Sequence, residues 1–285
     1  MDYVTLTNGI KMPNIGFGMW KNTHDDDEII NCVEKAINVG FRHIDSAAEY
    51  ENEHLVSKAI EKSGCPRKNL FLTSKLRNEA HGYGNVRKEV ETSLEELDTD
   101  YLDLYLIHWP VVSGNSEDWA EDNLDTWKAM EELYKEGKLK AIGVSNFSET
   151  HLKNLIEHAE IKPMVNQIQI HPGTTQDGVR KYCQEHGIVV QAYSPLNPLN
   201  VLKKEDRVRE MLQKYNKTMA QILLRFCIKL NTVPLTKSAH MYRIEENFDI
   251  FDFELEDEDF DYLLQWMHSD FQETDSQYER PPKFN

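Results

Sequence analysis

Eight short apolar runs, each followed by a stretch with helical periodicity, recur at intervals of roughly 30 residues, and nothing else in the chain restricts its fold as much. They cover residues 15–18, 41–45, 70–75, 102–108, 141–144, 165–170, 188–193 and 232–235. The runs are apolar almost throughout, as parallel strands covered on both faces must be. Between them, apolar residues fall one helical turn apart. Ile29/Val33/Ala36/Ile37, Leu152/Leu155/Ile156/Ala159, Val179/Tyr182/Cys183/His186, Val208/Met211/Leu212/Tyr215 and Met219/Ile222/Leu223/Phe226 all follow this spacing. Eight such repeats in a chain of 285 residues predict an α/β fold, a (β/α)8 TIM barrel, rather than an open sheet. Gly16-Phe17-Gly18 lacks the third glycine of a dinucleotide fingerprint and no P-loop follows, which disfavours a doubly wound nucleotide fold. Residues 5–12 read as an N-terminal β-hairpin turning at Asn8-Gly9. No Pro/Gly/Ser-rich linker interrupts the pattern, so residues 1–285 are expected to form one domain. The acidic runs at 25–28 and 254–261 suit helix N-termini.

Charge narrows the range of partners. With 32 Lys+Arg against 49 Asp+Glu the formal charge is −17, which repels nucleic acid and anionic membrane surfaces. An anionic ligand would need a local basic pocket. No apolar run of membrane-spanning length occurs, and the N-terminus does not read as an export leader. Cys32, Cys65, Cys183 and Cys227 are scattered, without a Cys-x-x-Cys pair, which suits a reducing cytoplasm. Cys183 and Cys227 fall on apolar helical faces; Cys65 lies in a turn with nothing to activate it.

Barrels of this kind carry their sites at the C-terminal ends of the strands. The second run ends in Asp45, with Tyr50 five residues on. Asp45 either holds a cation beside the phenol or caps the helix that begins near Asn52. The following ends decide between these readings: Lys75, His108, Ser145-Asn146, Gln167, Tyr193 and Lys237-Ser238. Any one of them could be a solvated end. Polar groups at one strand end after another have a common cause in a polar site on one rim.

These blocks resemble the aldo-keto reductase family. The resemblance rests on residues 40–47 with Tyr50 and Asn52-Glu53, on Leu106-Ile107-His108-Trp109-Pro110, and on Gly143-Val144-Ser145-Asn146-Phe147. Asn166-Gln167, Gln191-Ala192-Tyr193-Ser194-Pro195-Leu196 and Lys237-Ser238…Arg243…Asn247 complete it in the same order. It implies reduction of an aldehyde or ketone by NADPH, with a small carbonyl compound as partner and a monomeric enzyme. Tyr50 would protonate the oxygen, Lys75 held by Asp45 would bring the phenol's pKa towards neutral, and a neutral His108 would orient the carbonyl. Ser145, Asn146 and Gln167 would bind the carboxamide of the cofactor, Tyr193 would stack on its ring, and Ser194 and Leu196 would lie along it. Lys237, Ser238 and Arg243 would hold the 2′-phosphate, with Glu246 and Asn247 at the adenine. Trp20, Trp109 and Trp119 would wall the substrate pocket. Arg77 stands where relatives often carry an aromatic residue and is expected to favour anionic carbonyl compounds. A short segment at 196–204 and a short C-terminal tail suggest an open pocket, as in bacterial-type members. Two other readings compete. One is a non-catalytic NADPH-binding module; the other is a metal-dependent hydrolase using His43, His108 and His171.

Overall fold

Side chains along a strand alternate between two faces, and inside this barrel the alternation stacks an apolar layer beneath a polar one. The computed structural model describes residues 2–20, 25–111 and 117–271. Strands β1 (Tyr3–Thr5) and β2 (Lys11–Pro13) pair antiparallel, with Val4 opposite Met12. The turn closes from Leu6 O to Gly9 N at 2.8 Å, so its centre is Thr7-Asn8 rather than Asn8-Gly9. Gly9 follows with φ +87°, a conformation that costs glycine little.

The barrel strands are β3 (Gly16–Gly18), β4 (His43–Asp45), β5 (Phe71–Leu76), β6 (Leu104–Ile107), β7 (Ile142–Ser145), β8 (Val165–Gln169), β9 (Val189–Tyr193) and β10 (Val233–Thr236). All pair in parallel and close in the order β10-β3-β4-β5-β6-β7-β8-β9. The expected strands are all present, with ends moved by one or two residues. Helices occupy the connections: α1 (Asp26–Val39), α2 (Glu53–Ser63), α3 (Tyr83–Glu96), α4 (Trp119–Lys135), α5 (Glu149–His158), α6 (Asp177–Glu185), α7 (Leu199–Leu202), α8 (Asp206–Tyr215), α9 (Met219–Lys229), α10 (Met241–Phe248) and α11 (Asp257–Gln265). None is long and apolar enough to cross a membrane, among the described residues.

Local chemistry sets the helix ends. Asp25 accepts from Glu28 N and caps α1, whose first turn carries Asp26, Asp27 and Glu28 where the helix dipole favours negative charge. Ser148 and Thr218 form capping boxes at α5 and α9. Outward side chains such as Ile44, Leu72, Ile107, Val144 and Ile168 pack under the helices in the main core. Inward, Phe71, Leu104, Leu106, Val165 and Val233 form a second cluster, joined by Leu6 and Met12 of the hairpin. The hairpin thereby floors the barrel. Each fully buried side chain of this size stabilises the fold by about 1.5–3 kcal/mol. Gly143 marks a tight point of the wall. A Cβ there would lie 2.6 Å from Val165 O and 2.9 Å from the Leu106 side chain.

Candidate active site

One step above the apolar layer, the same inward positions turn polar. Asp45 closes β4 and Lys75 is the penultimate residue of β5, both facing inward. Lys75 is fully buried, and its Nζ lies 2.6 Å from Asp45 Oδ1. The ammonium also donates to Ser46 O at 2.8 Å and approaches the Tyr50 hydroxyl at 3.4 Å. A buried ammonium is tolerated only when paired this way. Burial pulls the Lys75 pKa down, and the Asp45 charge and hydrogen bond work against that shift. Asp45 Oδ2 accepts from Gln167 Nε2 at 2.8 Å, so both carboxylate oxygens are occupied within the barrel. The capping alternative therefore fails: Asn52, not Asp45, stands at the N-cap of α2.

Tyr50 arrives on a single 3-10 turn, Ala48–Tyr50, which bends the chain back over the mouth. Its ring meets His108 edge-on at 5.8 Å, and Lys75 Nζ is 5.0 Å from its centroid. Burial holds His108 well below its ordinary pKa and the Lys75 charge adds to that, so the imidazole is neutral. The phenol departs from the sequence expectation. Burial, then the negative charges of Asp45 and Glu49, raise its pKa well above the ordinary value rather than towards neutral. The reason is geometric: Lys75 is neutralised by Asp45 at 2.6 Å and sits farther, 3.4 Å, from the phenol oxygen.

A second set of polar side chains adjoins the first. Ser145 Oγ donates to Gln167 O at 2.8 Å, and Asn146 Nδ2 donates to His108 O at 3.0 Å and to Ser145 Oγ at 3.1 Å. Tyr193 donates to Asn146 Oδ1 at 2.8 Å. Asn146 and Ser194 adopt positive φ, 62° and 53°, at the ends of β7 and β9. Such backbone costs on the order of 1 kcal/mol at a non-glycine residue and tends to collect at functional sites. Together these groups line a cleft of about 640 Å³ whose wall also includes Trp20, Trp109, Leu196 and Lys237. A cleft of this size takes a ligand larger than a simple carbonyl compound.

Residues 14–266 match the sequence model of the Aldo/keto reductase family. The chain belongs to the aldo/keto reductase family. Among proteins to which this reductase is similar, glyoxal reductase of Bacillus subtilis (strain 168) is 46% identical over 262 residues, 92% of this chain and 91% of that one. The 9,11-endoperoxide prostaglandin H2 reductase of Trypanosoma cruzi is 41% identical over 259 residues, 90% and 88% of the two chains. In three dimensions the chain is similar to the Bombyx mori aldo-keto reductase solved in complex with NADP. That pair has a TM-score of 0.85 and 34% identity, with 92% of each chain covered.

Not every residue expected at the site of this aldo/keto reductase lies in the cleft. Ser238, Arg243, Glu246 and Asn247 sit beyond Lys237, on the approach to α10 and along it. Arg243 Nε donates to the Tyr242 hydroxyl at 3.0 Å, and Glu246 Oε1 accepts from Thr218 Oγ1 at 2.7 Å. Ser238 Oγ accepts from His240 N at 3.0 Å. Asn247 is buried; its Nδ2 donates to Thr236 Oγ1 at 2.8 Å, while its Oδ1 has no partner among the described residues. Arg77 does not line the cleft. The chain turns at the end of β5, and the guanidinium lies 3.7 Å from the carboxylates of both Glu51 and Glu89, the nearest countercharges in an acidic surface. Trp119 begins α4 and packs edge-on against His151 at 4.6 Å, again away from the cleft. His43 and His171 do not join His108: one pairs with Thr73 at 2.9 Å, the other with Pro172 O at 2.9 Å. Among the described residues no group of three His, Cys, Asp or Glu side chains is placed to hold a metal. The segment at 196–204 is short and carries only the single turn α7, and the expected short tail lies outside the described residues beyond 271. Sequence reasoning missed Gln169, Asn197 and Thr236 in the cleft wall. Gln169 was within reach of it, because it lies two residues past Gln167 on the same strand face.

Proposed function

We propose that this protein reduces small aldehydes or ketones to alcohols with NADPH as the cofactor, using Asp45, Tyr50, Lys75 and His108 as its catalytic residues. The observation that carries the reading is the contact of a fully buried, Asp45-paired Lys75 with the Tyr50 hydroxyl at 3.4 Å in the cleft. The residues fit the cofactor. Asn247 Oδ1 is a buried acceptor without a partner among the described residues, suited to an adenine amine, and Glu246 lies beside it on α10. Lys237, Ser238 and Arg243 supply cations and a hydroxyl for the 2′-phosphate. Ser145, Asn146 and Gln167 would hold the carboxamide, Tyr193 the ring face, and Ser194 and Leu196 the rim.

When bound, NADPH supplies the hydride. As negative charge grows on the carbonyl oxygen, Tyr50 gives up its proton to that oxygen. The raised pKa ensures that the proton is there to give. Lys75 then faces the phenolate it leaves behind, and Asp45 keeps the ammonium from swinging away. Neutral His108 orients the carbonyl by hydrogen bonding. Trp20 and Trp109 give the pocket its apolar walls and exclude water.

The four free thiols and the charge of −17 support a reducing, cytoplasmic setting and no nucleic-acid partner. The exposed large apolar residues among those described are Tyr3, Trp20, Tyr83, Met241, Tyr242 and Met267, of which only Met241 and Tyr242 are adjacent in sequence, which supports a monomer. The test is a panel of carbonyl compounds, headed by glyoxal, followed by NADPH absorbance. Tyr50→Phe is expected to lower the rate by about 100-fold or more while NADPH still binds. Rates close to wild type across the panel would remove Tyr50 from its role as acid.

A further inference from the structure

Gln169 extends the inward face of β8 one layer above Gln167, and Asn197 stands near it on the turn after β9; both line the cleft. Behind them His171 is fully buried. Its Nδ1 is 2.9 Å from the Pro172 carbonyl oxygen. A carbonyl can only accept, so Nδ1 carries hydrogen. Burial keeps the ring's pKa below the ordinary value, and a neutral ring protonated at Nδ1 has a bare Nε2. That nitrogen must accept, and it lies 2.9 Å from Gln169 Nε2 and 3.5 Å from Asn197 Nδ2. An amide that gives its NH2 to the ring turns its oxygen away from it. Gln176 Nε2 fixes the same strand end by donating to Gln169 O at 2.5 Å. The ring edge of His171 rests on Phe271 at 5.6 Å, which closes the back of the group.

We propose that Gln169 and Asn197, aimed by His171, accept hydrogen bonds from a hydroxyl group of the ligand in the cleft. A wall that presents amide oxygens favours a hydroxyl over a methyl of equal size, because the methyl leaves those oxygens desolvated and unpaired. The inference rests on the reductase reading, and the hydroxyl belongs either to the carbonyl substrate or to a ribose of the cofactor. His171 is a positioning residue here: it touches neither ligand and sets which amide atoms do.

Glycolaldehyde and propanal differ by a hydroxyl in place of a methyl, so the ratio of their kcat/KM values reads the substrate arm. NADPH titration by protein fluorescence reads the cofactor arm. Gln169→Leu is expected to lower the glycolaldehyde preference about tenfold if the substrate donates, or NADPH affinity about tenfold if the ribose donates. Gln169→Met, which keeps the length and loses the acceptor, serves if the leucine variant does not fold. If neither quantity moves in a folded variant, the proposal is wrong. Nitrogen-15 NMR of His171 gives an independent reading: hydrogen on Nδ1 supports the arrangement, and hydrogen on Nε2 overturns it. A wild-type protein that binds no NADPH and reduces neither aldehyde would overturn the reductase reading itself, which the tautomer measurement does not touch.

Discussion

Lys75 and Tyr50 meet inside the mouth with the lysine's charge already matched by Asp45, and this fixes how the site responds to pH. Tyr50 is held above its ordinary pKa of 10 and His108 below its ordinary 6.5, so neither changes protonation in the neutral range. The proton on Tyr50 is lost only as pH rises past its raised pKa; His108 gains charge only as pH falls through its lowered one. The rate of aldehyde reduction is therefore expected to stay level between about pH 6.5 and 8. A fall in kcat/KM with an apparent pKa near 7 would mean that the phenol is shifted to neutral after all. That Asp45, Tyr50, Lys75 and His108 gather at one mouth was legible in the sequence because each stands at or just past a strand end, and strand ends share one rim. The shift on Tyr50 was not, because burial outweighs a neighbouring cation only once distances are known. Arg77, singled out by comparison with the family, and Trp119 are not among the described residues that line the cleft. Beyond the last strand residue, side-chain direction depends on the turn, and period two no longer applies.

Between elements, polar anchors supplement apolar packing. Asp259 of α11 is buried and accepts from Lys214 Nζ and the Tyr215 hydroxyl of α8, at 2.7 and 2.6 Å, and from Arg207 at 2.7 Å. Burial alone would raise its pKa, but the Lys214 and Tyr215 hydrogen bonds and the charges of Lys214 and Arg207 prevail, and the net shift is downward. A carboxylate depressed in the folded state adds stability above its unfolded pKa of about 3.8, and that stability is lost as pH falls through the folded value. Asp259→Asn is expected to cost about 1–2 kcal/mol at pH 7, since its partners can be rehydrated. Thermal melts at pH 7 and pH 3 check this: the gap between variant and wild type should narrow at the lower pH, and an equal gap at both would remove the charge from the account. The helices themselves were read from 3.6-residue spacing. This anchor was invisible, because it joins residues about 45 positions apart.

Across the whole molecule, a net charge of −17 opposes the approach of any anion. Binding a phosphorylated cofactor then depends on a few cations gathered in one place, and Lys237 at the cleft with Arg243 on α10 are the pair proposed for it. Arg243→Ala is expected to weaken NADPH by about 1.5–3 kcal/mol and NADH much less, as read by fluorescence titration. Equal losses for the two nucleotides would reject the assignment. The barrel as a whole was the most legible level, since eight repeats admit few closures; the lining of its mouth was less so, because Gln169 and Asn197 converge from β8 and from the turn after β9. The hairpin under the barrel has a consequence of its own. Leu6 and Met12 stop one end of the cylinder with hydrocarbon, so, among the described residues, the doorway of the cleft lies at the other end. Selection can then remodel the doorway's loops for new guests while the foundation stays as it is.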